Sequence, residues 1–146
     1  MAIVGLAAVI VGAALGWVVL APAGPDRADA ANAKLVAQGR VVYGQQCAGC
    51  HGANLEGEPE WRTRREDGML PAPPHDATGH TWHHSDAALF DITRRGTAAV
   101  VGGSYRSNMP AFAKVLSDRE IWATLAYIKS RWPADIRQAQ ERTRQN

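Results

Sequence analysis

Residues 47–52 read CAGCHG: two thiols three positions apart, an imidazole directly after the second, and a glycine closing the run. On one helical turn the two sulfurs leave from the same side, and His51 follows at the next step. Three chemistries use paired thiols at this spacing. A thioredoxin-like redox pair needs a βαβ frame, and no strand-like alternation surrounds the motif. A zinc knuckle needs a second ligand pair of good quality, and Cys47 and Cys50 are the only cysteines in the chain. The third reading is the attachment signature of a c-type haem. There the thiols of Cys47 and Cys50 add to two porphyrin vinyl groups, and the His51 imidazole becomes the proximal iron ligand.

The rest of the chain favours the third reading. Its 146 residues suit one compact domain with some length left for termini. A formal net charge of +2 gives no strongly basic face, which argues against nucleic acid as a partner. Ala2 to Ala21 is twenty residues without a charge, enough helix to span roughly 30 Å of hydrocarbon. Residues 1–23 are therefore a membrane anchor or a secretory signal. Length favours the anchor, whereas Ala21-Pro22-Ala23 and Ala28-Asp29-Ala30 offer cleavage-like small residues. Both readings export the remainder, and covalent haem is attached outside the cytoplasm. Residues 24–31, small, polar and proline-broken, read as a linker.

Beyond the linker the pattern is helical. Asn32 can cap a helix that places Leu35, Val36, Gly39, Val42 and Tyr43 on one face. Gly52 to His84 has no sustained period and contains Pro59, Pro71, Pro73 and Pro74, so it reads as a long loop with at most one short helical turn. Ser85 caps a short helix carrying Leu89, Phe90 and Ile92, ended by Gly96. Residues 96–112 read as irregular. Ser117-Asp118-Arg119-Glu120 is a capping box, with Leu116 and Ile121 as its hydrophobic staple. Ile121, Leu125, Ile128 and Trp132 then recur at helical spacing until Pro133, and residues 135–146 form a polar tail, either frayed helix or disorder. The expectation is an all-α domain over residues 32–134, with three to four helices packed around a covalent haem and a hydrophobic helix in front. Loops this long leave little core without a large apolar cofactor.

The sixth iron ligand needs a soft or nitrogenous donor. Met109 precedes a proline in a loop between two helices, 58 residues after His51. A lone methionine usually fills a gap in the core. Met-Pro, however, stiffens the backbone enough to hold a thioether in one place. His51/Met109 ligation would raise the reduction potential and close the iron to substrates.

With CAGCHG, SNMPAF and the two flanking helices in place, the chain resembles a class I, mitochondrial-like bacterial monohaem cytochrome c over about residues 34–133. Gly39 and Tyr43 match the small and aromatic positions where that family's first helix crosses its last. Tyr127, with Trp122 or Leu125, would be the facing surface. The resemblance implies a proline carbonyl that accepts a hydrogen bond from the proximal histidine, here Pro73, although His75 stands where the family has leucine. It also implies a loop tryptophan, Trp82, near a haem propionate.

Histidines 75, 80, 83 and 84 lie in one ten-residue run, HDATGHTWHH. They read first as a solvated loop, next as haem-edge packing, and last as a copper or zinc site. Arg62, Arg64, Arg65, Arg94, Arg95, Arg106 and Lys114 either form solvated surface, or ring one haem edge, where they pair with propionates or steer an acidic redox partner. The resemblance implies an electron carrier with one haem c that performs no bond chemistry. It would work at the periplasmic side of the inner membrane with redox partner proteins of a respiratory or other chain. The alternative is the cytochrome subunit of a membrane-bound dehydrogenase, oxidase or reductase complex.

Overall fold

The computed structural model describes residues 26–143, so the expected hydrophobic segment 1–23 lies outside the described residues. Among the described residues all regular structure is helical, with no strand, and no helix is long and apolar enough to cross a membrane. The order is α1 (Ala33–Gln46), α2 (Ala48–His51), a single 3-10 turn (Thr81–His83), α3 (Asp86–Arg95), α4 (Thr97–Val101), α5 (Asp118–Ser130) and α6 (Ala134–Arg142).

Capping chemistry sets the starts of the long helices. The Asn32 side chain accepts a 3.0 Å bond from the Leu35 N–H, which satisfies one of the unpaired donors of the first turn of α1. At α5 the box is reciprocal: Ser117 accepts from the Glu120 N–H, and the Glu120 carboxylate accepts from the Ser117 N–H. The faces launched by these caps pack on each other. A methyl group at Gly39 would overlap the Ala123 carbonyl, so glycine is what lets the backbones of α1 and α5 touch. Beside that crossing the Tyr43 and Tyr127 rings meet with centroids 5.4 Å apart. Leu35, Val42, Ile121, Leu125, Ile128 and Trp132 fill the surrounding core.

α3 packs on the opposite flank of α5, where Phe90 stacks on Trp122 at 4.3 Å. Gly96, at φ 82°, ends α3 in the left-handed region, and the chain re-enters helix at once as α4. Residues 97–101 were expected to be irregular; five residues carry too little periodicity to be recognised as a helix.

The polar tail also forms helix. α6 packs Ile136 against the core and is tied by an amide: Gln140 is fully buried, and its Nε2 donates to the His84 carbonyl and to Asp86 Oδ1. Asp86 in turn receives the Lys129 ammonium at 2.8 and 3.0 Å. One buried polar cluster thus ties α3, α5 and α6 together, a kind of anchor that a hydrophobic period does not reveal.

Candidate haem-binding site

α2 is one turn long and carries the motif. Cys47 sits between α1 and α2, where its N–H continues α1 to the Tyr43 carbonyl, so the motif is rigidly joined to the first helix. The Tyr43 hydroxyl then caps the other end, lying 2.9 Å from the Gly52 carbonyl and 3.3 Å from that of His51. Burial, and then the neighbouring Cys47, pushes the Tyr43 phenol well above its usual range, so it remains a donor. Cys47 and Cys50 are unbridged thiols, the first half-buried and the second exposed. Burial and the adjacent Cys50 push the Cys47 thiol up to about 11, so it is protonated at neutral pH.

His51 ends α2 and is buried. Its Nδ1 lies 2.9 Å from the Pro73 carbonyl. A carbonyl only accepts, so the proton must be on Nδ1, and in the neutral ring Nε2 then carries a free lone pair. Burial lowers the affinity of this ring for a second proton; the Pro73 bond and Glu58 oppose that only in part. A neutral imidazole with one nitrogen tethered and the other free is the state a metal ligand requires.

The loop that delivers Pro73 is pinned at several points. The Glu58 N–H donates to the Ala72 carbonyl at 2.8 Å, and the Glu58 carboxylate accepts from the Ala72 N–H and from Arg65. Those two bonds hold its carboxyl below the usual carboxylate range. Two residues past Pro73, the His75 ring lies stacked on His51, centroids 3.9 Å apart and 21° between planes. Burial, and then the His51 and His80 rings, keep His75 well below the ordinary imidazole range.

Met109 lies between α4 and α5, partly buried against the core. The Thr97 hydroxyl donates to its sulfur at 3.2 Å, and the Met109 N–H donates to the Ser107 hydroxyl. Just beyond, Phe112 and Ala113 donate backbone bonds to Thr93 and Arg94 at the end of α3, which fixes the Met-Pro segment against that helix. Trp82 sits in the 3-10 turn with its ring stacked on His83, and its indole N–H is buried without an acceptor among the described residues. A buried orphan donor costs about 1–3 kcal/mol unless a ligand satisfies it.

These features fit haem c: two unbridged thiols on one turn, an adjacent imidazole with a free Nε2, a held thioether, and a buried N–H able to bind a propionate. The four HDATGHTWHH histidines do not gather at one point, although the His80 and His84 rings meet edge to face with centroids 5.5 Å apart. His75 lies on His51, His80 on Trp61, His83 on Trp82, and the His84 carbonyl receives Gln140. Among the described residues no three His, Cys, Asp or Glu side chains are placed to hold a metal ion. Most of the arginines have local partners: Arg65 with Glu58, Arg94 with Asp118, Arg95 with Asp91, and Arg106 with the Asp67 carbonyl. Sequence patterns gave no sign of the Thr97 bond to Met109 or of the buried Asp86–Lys129–Gln140 cluster, because both join residues far apart in the chain. The place of His75 was marked only by the departure from leucine.

The family described as "Cytochrome C oxidase, cbb3-type, subunit III" matches residues 34–128, which spans α1 to α5. The cbb3-type cytochrome c oxidase subunit CcoP of Azospirillum sp. (strain B510) is 32% identical over 99 residues, covering 68% of this chain and 29% of that protein. The chain thus matches less than a third of the length of this curated relative. No solved structure matches it. Haem c is the cofactor this family implies, and the chain belongs to the cytochrome c family, in its cbb3-type oxidase subunit III group.

Proposed function

We propose that this chain is a haem c electron-transfer domain working as the cytochrome subunit of a membrane-bound oxidase complex. The observation that carries the reading is the tethered neutral His51 beside Cys47 and Cys50, on a chain whose family is an oxidase subunit. Haem supplies a one-electron iron couple when bound. The chain's own residues do the rest. Cys47 and Cys50 would provide the covalent attachments, and His51 and Met109 would hold the iron. Pro73 orients His51 and raises its basicity through Nδ1. Trp82 donates to a propionate. With His51 and Met109 both bound, the iron would keep no open position for substrate.

One C-x-x-C-H motif in the chain corresponds to one haem. The working place we infer is the periplasmic side of the inner membrane, with residues 1–23 as anchor. The oxidase assignment of the relatives favours membership of a complex over a freely diffusing periplasmic carrier, the reading that the class I resemblance alone supports. Mild-detergent purification of the tagged full chain tests this. Co-elution with haem–copper oxidase subunits, and an intact mass that includes one covalent haem, are the expected results. A monodisperse haem protein that reduces or oxidises soluble partners without any membrane subunit would place it as a free carrier.

A further inference from the structure

We propose that His75 is a positioning residue for His51: its imidazole, lying face to face with the His51 ring, sets the rotation of that ring about the axis through Nε2. The proposal rests on His51 being the axial ligand.

The hydrogen bond from Nδ1 to Pro73 orients one edge of the His51 ring and leaves only a rocking freedom about that bond. A flat neighbour at stacking distance removes that freedom, and His75 supplies one at 3.9 Å and 21°. A leucine, which the resemblance to class I cytochromes leads one to expect here, has no flat face. It would press on the ring without selecting a plane.

For this to work His75 itself must be immobile, and it is held through three groups. Its backbone N–H donates to the Leu55 carbonyl at 2.8 Å. Its carbonyl accepts from the Trp132 indole N–H at 2.7 Å, which ties it to the end of the core helix. Its Nδ1 lies 2.8 Å from the Thr81 hydroxyl. The same hydroxyl lies 3.4 Å from the Pro74 carbonyl, so it joins the His75 ring to the backbone of its own loop. The Tyr43 ring adds an edge contact at 6.3 Å. The stack is therefore one step of a fixed aromatic series from Tyr127 through Tyr43 and His75 to His51.

The test uses the haem-loaded full chain as wild type, His75→Leu and His75→Phe. Ferric electron paramagnetic resonance reads the plane of the axial imidazole through g-anisotropy, and a pyridine haemochrome assay reads attachment. His75→Leu should keep full haem content but shift the g-values, whereas His75→Phe, which keeps a flat face, should hold them near wild type. Wild-type g-values in His75→Leu would overturn the proposal, as would equal departures in the two variants. A wild-type chain without covalent haem would overturn the haem reading as well, and the haemochrome assay identifies that outcome by itself.

Discussion

At Trp82 a buried donor points to a group that the described residues do not supply. Its indole N–H is buried without an acceptor among the described residues, although the ring is well packed on His83. A carboxylate acceptor would turn that cost into a charge-assisted bond of about 1.5–3 kcal/mol. Trp82→Phe should therefore destabilise the haem-loaded protein by about that amount. Chemical denaturation followed at the haem absorption band measures it. An unchanged midpoint would mean that the indole does not meet a propionate. In the sequence the thiols and His51 are marked by fixed residue types at fixed spacing, whereas Met109 is marked only by the proline that follows it. Trp82 was legible only through resemblance, and Thr97 was not legible at all, since a hydroxyl twelve residues from Met109 carries no pattern of its own.

At the scale of elements, the long loop between α2 and α3 is ordered by polar ties more than by an apolar period. Glu58 is its principal clip, joining residue 58 to residue 72 and to Arg65. Those bonds lower its pKa in the folded state. A depressed carboxylate stabilises the fold fully above its ordinary value of 4.5, and that contribution is lost as pH falls through the lowered folded value. Thermal melting between neutral pH and about pH 3 should therefore show a steeper acid decline in wild type than in Glu58→Gln. Parallel curves would contradict this role. The capped helices α1, α3 and α5 were readable because caps and 3.6-residue periods are local signals. α4 was too short for a period, and α6 hides its anchor in a glutamine, a residue type that is usually exposed.

The whole molecule is held by two different devices. The α1–α5 crossing at Gly39 is apolar and lies within the stretch shared with oxidase subunit III. The cluster of Asp86, Lys129 and Gln140 is polar, and both Lys129 and Gln140 lie beyond that stretch. Lys129 and Asp86 are almost fully buried, so removing the Lys129 ammonium takes an opposite charge away from a desolvated carboxylate. Lys129→Ala should cost about 3–5 kcal/mol in equilibrium denaturation; a loss under about 1 kcal/mol would show the pair to be dispensable. This cluster leaves the motif on α2 untouched and acts on the frame that brings α3 and α6 to the loop carrying Pro73, His75 and Trp82.

In the proposed function Cys47, Cys50 and His51 hold one haem and Met109 is its sixth ligand. An optical redox titration of wild type beside Met109→Ala tests it most directly. The prediction is that wild type titrates as a single one-electron couple with a far-red methionine-to-iron charge-transfer band in the ferric state. In Met109→Ala the haem remains attached, the band is lost and the potential falls. An unchanged band and potential in Met109→Ala would contradict the account.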